Sequence, residues 1–273
     1  MSASRNPHAD QMADESMIRT LAAQANAIWP QEERLFARYA LPPDGRIADI
    51  GCGSGEITSR LALMYARATV IGVDILESSV AYASRRYAAL APRLHFQQGD
   101  AFALAFESAQ FDLVVCRHMT QSIPEPDKAL AELRRICKPG GWLHILSEDY
   151  GMLQMMAGKL DPDRLWDEGA IPFGRSTGVD ARIGRRTWTL LHELGMEELR
   201  VDYVTVDTLR VPRETFAAIM EAWRDGYADV FKAHTTLSSA EARALFEFII
   251  ASIRNPNEYA VWQVPIVSGR KPR

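Results

Sequence analysis

Between Arg46 and Asp149 five short apolar runs alternate with amphipathic segments, and this alternation limits the fold more than any other feature of the chain. The runs are RIADI (46–50), TVIGVDI (69–75), LHFQQGD (94–100), FDLVVCRH (111–118) and WLHILSED (142–149). Helical periodicity occupies residues 55–66, 77–89 and 125–137. Strands separated by helices of that length join through right-handed crossovers into a parallel sheet. Runs as continuously apolar as VVC suit strands covered on both faces. The expected class is therefore α/β, with a doubly wound, mostly parallel sheet.

The flanks are less regular. Asp14 to Tyr39 reads as helical, with Met17, Leu21, Ile28, Leu35 and Phe36 as apolar positions, and Pro30 is expected to break or kink it. Residues 1–12 read as polar and loose. Residues 151–179 read as an irregular insertion, 180–195 as a helix ending at Gly195, and 198–209 as a strand. A helical stripe follows over 212–231 and a second helix over Ser239–Arg254, capped by Ser238 or Ser239. Residues 258–269 read as a last strand, with Pro265 weakening its centre.

The turn after the first run is DIGCGSGE, residues 49–56, with glycines at 51, 53 and 55. Such a turn brings a ligand to the carboxyl edge of a sheet, beside a helix N-terminus. Its spacing is G-x-G-x-G rather than the G-x-G-x-x-G of dinucleotide binders. Asp49 precedes it, which suits a cationic ligand better than a phosphate. Asp74 closes the second run, where a carboxylate can accept both hydroxyls of a ribose. Asp100 closes the third and can accept from an adenine amino group, with Phe102 and Ile75 placed to pack on the ring.

Over residues 46–150 these motifs, with FDLVVCRHMTQSIPEPDKALAELRRICKPGGWL, resemble the class I, Rossmann-like S-adenosylmethionine-dependent methyltransferases. The resemblance implies a seven-stranded, mostly parallel sheet with an antiparallel last strand, plus helical cap or lid insertions. It places Asp49, Gly51, Cys52 and Gly53 around the methionyl part of S-adenosyl-L-methionine and Asp74 with Ile75 at the ribose. Asp100, Ala101 and Phe102 fall at the adenine, and the backbone near Arg117 faces the amino group. Three regions are expected: an N-terminal helical cap (1–41), a cofactor-binding core (42–150), and a substrate-side part (151–273) with a helical lid over about 210–257. That lid replaces what is often a short connection. Trp29, Trp166, Phe173, Trp188, Phe216, Trp223 and Tyr227 are candidates for an apolar pocket beneath such insertions.

A sulfonium methyl is already a strong electrophile, so alignment and exclusion of water can supply much of the rate. A base helps where the nucleophile must lose a proton. His118 after the fourth strand, and Glu148, Asp149 and Tyr150 after the fifth, are the catalytic candidates, since both positions fall at the ligand-binding edge. Histidine is the side chain that titrates nearest neutrality. His144, inside a strand, reads as a hydrogen-bonded core residue. No histidine or carboxylate spacing argues for a metal. None of the eight tyrosines is followed four residues later by lysine, against a short-chain dehydrogenase. Two other readings remain beside a small-molecule O- or N-methyltransferase. They are a non-methylating cofactor-binding protein, cyclase or scaffold, on the same fold, and a nicotinamide oxidoreductase.

The net charge of −4 lacks the basic excess of a phosphate-tracking protein. CRHMTQSIP also lacks the Asn/Asp-Pro-Pro-aromatic run of amino-methylating nucleic-acid enzymes. A small-molecule partner is expected, with no nucleic acid or membrane, and a monomeric or homodimeric state. The three cysteines show no CxxC spacing and read as buried thiols. The polar N-terminus lacks the apolar core of a secretory signal, so a cytoplasmic location is expected.

Overall fold

The computed structural model describes residues 15–273, so the stretch expected to be loose, 1–12, lies outside the described residues. In chain order the elements begin with α1 (Glu15–Phe36), β1 (Arg46–Ile50), α2 (Glu56–Met64), β2 (Thr69–Asp74), α3 (Glu77–Arg86) and β3 (Leu94–Gln98). β4 (Phe111–Arg117), α4 (Pro126–Ile136), β5 (Cys137–Leu146), β6 (Leu153–Met155), α5 (Ile171–Thr177) and α6 (Thr187–Glu193) follow. β7 (Glu197–Asp207), α7 (Arg213–His234), α8 (Ser239–Arg254) and β8 (Ala260–Arg270) complete the fold.

β1 to β5 are parallel in the order β3-β2-β1-β4-β5. β8 runs antiparallel between β5 and β7. This gives the expected seven strands, of which only the last in sequence is reversed. The three-residue β6 adds an eighth, pairing with β8 beyond the end of β5. Alternate side chains serve opposite faces. Ile47, Leu113 and Val115 enter one core cluster, while Ala48, Ile50, Val114 and Cys116 enter another. That is how a period of two fills both sides of a covered sheet. All three cysteines are free and buried. Among the described residues no helix is long and apolar enough to cross a membrane.

Three flanking features differ from expectation. Of the two effects expected of Pro30, the break is absent: α1 runs through it for 22 residues. Pro265 does not weaken β8 either. Its carbonyl accepts from Ser147 N on the β5 side, past the last β5–β8 pair at Leu146 and Ile266. In an antiparallel ladder a residue directs N and C=O to the same neighbour. The missing N–H of Pro265 thus falls in the gap between β5 and β6, and pairing to β7 continues through Tyr203. The insertion 151–179 is ordered into β6, a π-helical turn (Leu165–Ala170) and α5, which Gly178 ends at φ +77°. α8 has the expected cap: Ser238 and Glu241 form a reciprocal capping box.

Candidate active site

Every strand-end residue singled out from the sequence comes to one edge. In the order β3-β2-β1-β4-β5, the carboxyl ends carry Asp100, Asp74, Gly51, His118 and Glu148, and all five line one cleft. The chain order reverses between β1 and β4, the position where open α/β sheets bind ligands. The space between the walls is about 1040 Å³, part of it open to solvent.

The glycine turn is held by β2. Gly51 N and Cys52 N both donate to the carbonyl of Val73 (2.8 and 3.0 Å). Gly53 N donates to Asp74 Oδ2 at 2.8 Å, and Leu76 N to Asp74 Oδ1 at 3.0 Å. Gly53 has φ +51°, and a Cβ there would lie 2.4 Å from Leu21 Cδ1. A side chain there would both strain the positive φ and push the Leu21 methyl of α1 aside. Burial raises the Asp74 pKa against the opposing pull of these backbone donors.

Asp49 and Cys52 stand apart from the other cofactor candidates. Asp49 is 2% exposed and is not a wall of the cleft. Thr58 Oγ1, on α2, donates to its Oδ2 at 2.7 Å. Burial pushes its pKa up to about 6, partly offset by that hydroxyl. Cys52 is buried behind the turn, and burial together with the Asp49 and Asp74 carboxylates pushes its pKa far up. By contrast Ile75, Asp100, Ala101, Phe102 and Arg117 are walls. Asp100 Oδ1 accepts from Phe102 N at 2.9 Å, an interaction that fixes the loop carrying both.

On the other side of the cleft His118 is the first residue past β4 and has φ +52°. His118 Nδ1 donates to Glu148 Oε1 at 2.7 Å. Gln24 Nε2, from α1, donates to the same oxygen at 3.1 Å. The imidazole therefore keeps its proton on Nδ1, and its buried Nε2 has no partner among the described residues. Tyr150 is also a wall, and burial with the Glu148 carboxylate drives its hydroxyl well above the usual range. Asp149 is not a wall. It is fully buried, with Arg185 Nε and Nη2 at 2.5 and 2.8 Å and Gly151 N at 3.0 Å, so it anchors the chain after β5.

Sequence reasoning expected an N-terminal helical cap but singled out none of the α1 side chains that reach the cleft. Thr20, Leu21 and Gln24 are walls, and Glu32 lies behind them. Arg117 Nε donates to the fully buried Glu32 Oε1 at 2.8 Å, and His144 Nε2 lies 3.0 Å from that oxygen. Tyr39 OH sits 2.5 Å from His144 Nδ1. Burial opposes the charge on Glu32, but Arg117 and His144 hold its pKa below the usual range, while burial lowers that of His144. The one trace of this in the sequence was His144 inside a strand. Of the seven aromatic candidates, Trp223 and Tyr227 on α7 line the cleft, Trp166 and Phe173 line a hollow beside it, and Trp188 is 41% exposed on α6.

The walls suit an amino-acid nucleoside. Five buried polar atoms on them lack a partner among the described residues: Thr20 Oγ1, Gln24 Oε1, Arg117 Nη2, His118 Nε2 and Gln121 Oε1. Arg117 Nη2 is a donor for a carboxylate, and the Gln24 and Gln121 oxygens are acceptors for an ammonium. Carboxylates at Asp74 and Asp100, with Ile75 and Phe102 on the same walls, offer acceptors and apolar faces for a ribose and a base.

Comparison with known proteins decides the family. The profile of the family described as "Methyltransferase domain" matches residues 48–145. An uncharacterized protein of Mycobacterium bovis, Mb1440c, is 30% identical over 201 residues, 67% of this chain and 73% of that protein. The chain belongs to the class I S-adenosylmethionine-dependent methyltransferase family. Within this family it is 38% identical over 103 residues to a trans-aconitate 2-methyltransferase of Deinococcus radiodurans, 38% of each chain, so the match spans well under two thirds of that relative. A phosphoethanolamine N-methyltransferase 2 of Haemonchus contortus, solved with phosphomonomethylethanolamine and S-adenosylhomocysteine, shares the fold. Its TM-score is 0.62 at 18% identity, covering 99% of this chain and 60% of that one. The cofactor of this methyltransferase family is S-adenosyl-L-methionine.

Proposed function

We propose that this chain transfers a methyl group from S-adenosylmethionine to an oxygen or nitrogen of a small molecule, with His118 as the base. The observation that carries the reading is the His118–Glu148 pair, with the free Nε2 buried in the cleft that the glycine turn and Asp74 also line. When bound, the cofactor supplies a methyl group on a positively charged sulfur. Asp74 would hold the ribose hydroxyls, Asp100 and Phe102 the adenine, and Arg117 Nη2 the carboxylate. Gln24 and Gln121 would receive the ammonium through their side-chain oxygens.

His118 then has one task. Its Nε2 would take the proton that the acceptor gives up on receiving the methyl group the cofactor supplies. The imidazolium so formed is stabilised by Glu148, which already accepts from Nδ1. α1 and α7 form the lid. Leu21, Trp223 and Tyr227 keep water from the reacting atoms. Glu148 and Tyr150 join the base as positioning groups, whereas Asp149 acts at a distance by anchoring the loop to Arg185.

Release of S-adenosylhomocysteine with a panel of phenols and amines tests this. His118→Ala is expected to lower turnover about 100-fold or more, with affinity for S-adenosylhomocysteine nearly unchanged. Unaltered turnover in the variant would remove His118 as the base. Absence of turnover across the panel by a protein that binds the cofactor would favour the non-methylating alternative.

A further inference from the structure

One edge of the sheet carries backbone groups that no strand uses. Among the described residues β7 pairs only with β8. Thr205 N donates to Gln31 Oε1 at 3.1 Å, and Thr205 O accepts from Gln31 Nε2 at 2.8 Å, so this residue turns its backbone away from β8. Tyr203 and Val201, two and four positions earlier, turn theirs the same way. The Gln31 amide stands in for a strand at Thr205, and no group among the described residues does so at Tyr203 or Val201. Their side chains are 51% and 44% exposed. An edge of this kind is a template for another strand, and chains commonly guard it with proline or lysine. Neither stands between Leu199 and Thr205.

The segment is complementary to itself. Laid antiparallel on a second copy with Val201 opposite Val201, it sets Leu199 opposite Tyr203 on one face and Arg200 opposite Asp202 on the other. Arg200 is exposed and has no partner among the described residues. Asp202 gives Oδ2 to Arg38, which leaves Oδ1 for a second donor. Neighbouring registers fit worse. Centring on Arg200 or on Asp202 opposes like charges. Centring on Tyr203 calls on the Thr205 backbone that Gln31 already holds.

We propose that two copies of this chain join antiparallel through β7 about Val201, making one continuous sheet across a two-fold axis. The interface is isologous, since each copy presents the same segment to the other. None of residues 199–203 lines the cleft, so the pairing leaves the proposed reaction site untouched.

Sedimentation velocity of the full chain, from micromolar to near-millimolar concentration, should show a monomer–dimer equilibrium. Val201→Pro removes an N–H that serves no partner within the chain, so the ladder to β8 is kept. The dissociation constant of that variant should rise by about tenfold or more. A cysteine reads the register without relying on the proline variant to fold. All three native cysteines are buried. Residues opposite each other in a hydrogen-bonded antiparallel pair have Cα atoms about 5.5 Å apart, within disulfide range. Under oxidised glutathione Val201→Cys should become a covalent dimer, whereas Leu209→Cys, 79% exposed beyond the end of β7, should not. A wild type that stays monomeric throughout, dimerisation unchanged in Val201→Pro, or crosslinking as ready at 209 as at 201 would each overturn the proposal.

Discussion

At the scale of single residues, the account rests on a few carboxylates with different environments. Asp74 joins the glycine turn to β2 through two backbone donors and faces the cleft. Asp74→Ala is expected to weaken S-adenosylhomocysteine binding by tenfold or more, about 1.4 kcal/mol, read by titration calorimetry. Asp49 is buried beside Thr58 with its pKa pushed up to about 6. For a carboxyl raised in the native state, the native state holds the extra proton, so stability falls as pH rises from about 4 to about 6. Asp49→Asn removes that charge. Its stability relative to wild type should therefore climb across the same interval and level off above it, by up to about 3 kcal/mol. Urea denaturation at a series of pH values checks this, and a difference independent of pH would contradict the buried-charge account. Strand-end residues such as Asp74, Asp100, His118 and Glu148 were legible in the sequence because each follows a short apolar run. Asp149 read the same way, yet it faces Arg185, 36 residues on. Neighbouring residues at a strand end point in different directions, and a sequence does not say which one faces the cleft.

At the scale of elements, α1 is the part the sequence disclosed least. Its helical pattern was evident, but nothing local announced that Gln24 would reach Glu148, 124 residues away, or that Glu32 would be enclosed with Arg117 and His144. Long-range polar partners leave no periodic trace. The absence of a break at Pro30 has a related reason: propensity at one site was outweighed by packing along the whole helix. Leu21, Ile28 and Phe36 bind α1 across its length, and Gln31 exchanges hydrogen bonds with the Thr205 backbone on β7. The Glu32 network gives a prediction at this scale. Glu32→Ala leaves the Arg117 guanidinium buried without its counter-charge, which costs about 3–5 kcal/mol. Chemical denaturation should show that loss. A change within experimental scatter would mean that the network does not anchor the helix.

At the scale of the molecule, order along the sheet was readable, and helices over the cleft were expected from the N-terminal segment and from about 210–257, but the side chains they would bring to it were not. Strand-helix alternation and the glycine turn were sufficient for the parallel half, and the reversed last strand followed from the family resemblance. Two of the walls come from α1 and α7, nearly 200 residues apart in sequence but packed together, with Arg19 paired to Asp225 at 3.0 Å. Because both helices line the cleft, a bound nucleoside should stabilise the whole fold. At a ligand concentration 100 times the dissociation constant the gain is about 2.7 kcal/mol, visible as a rise of several degrees in Tm. The central claim is that this cleft is the S-adenosylmethionine site and that Asp74 holds the cofactor there. Titration of S-adenosylhomocysteine into wild type and Asp74→Ala tests it most directly. The account predicts one site per chain in the wild type, at micromolar affinity, and binding at least tenfold weaker in the variant. No binding by folded wild-type protein, or equal affinity in the two, would contradict it.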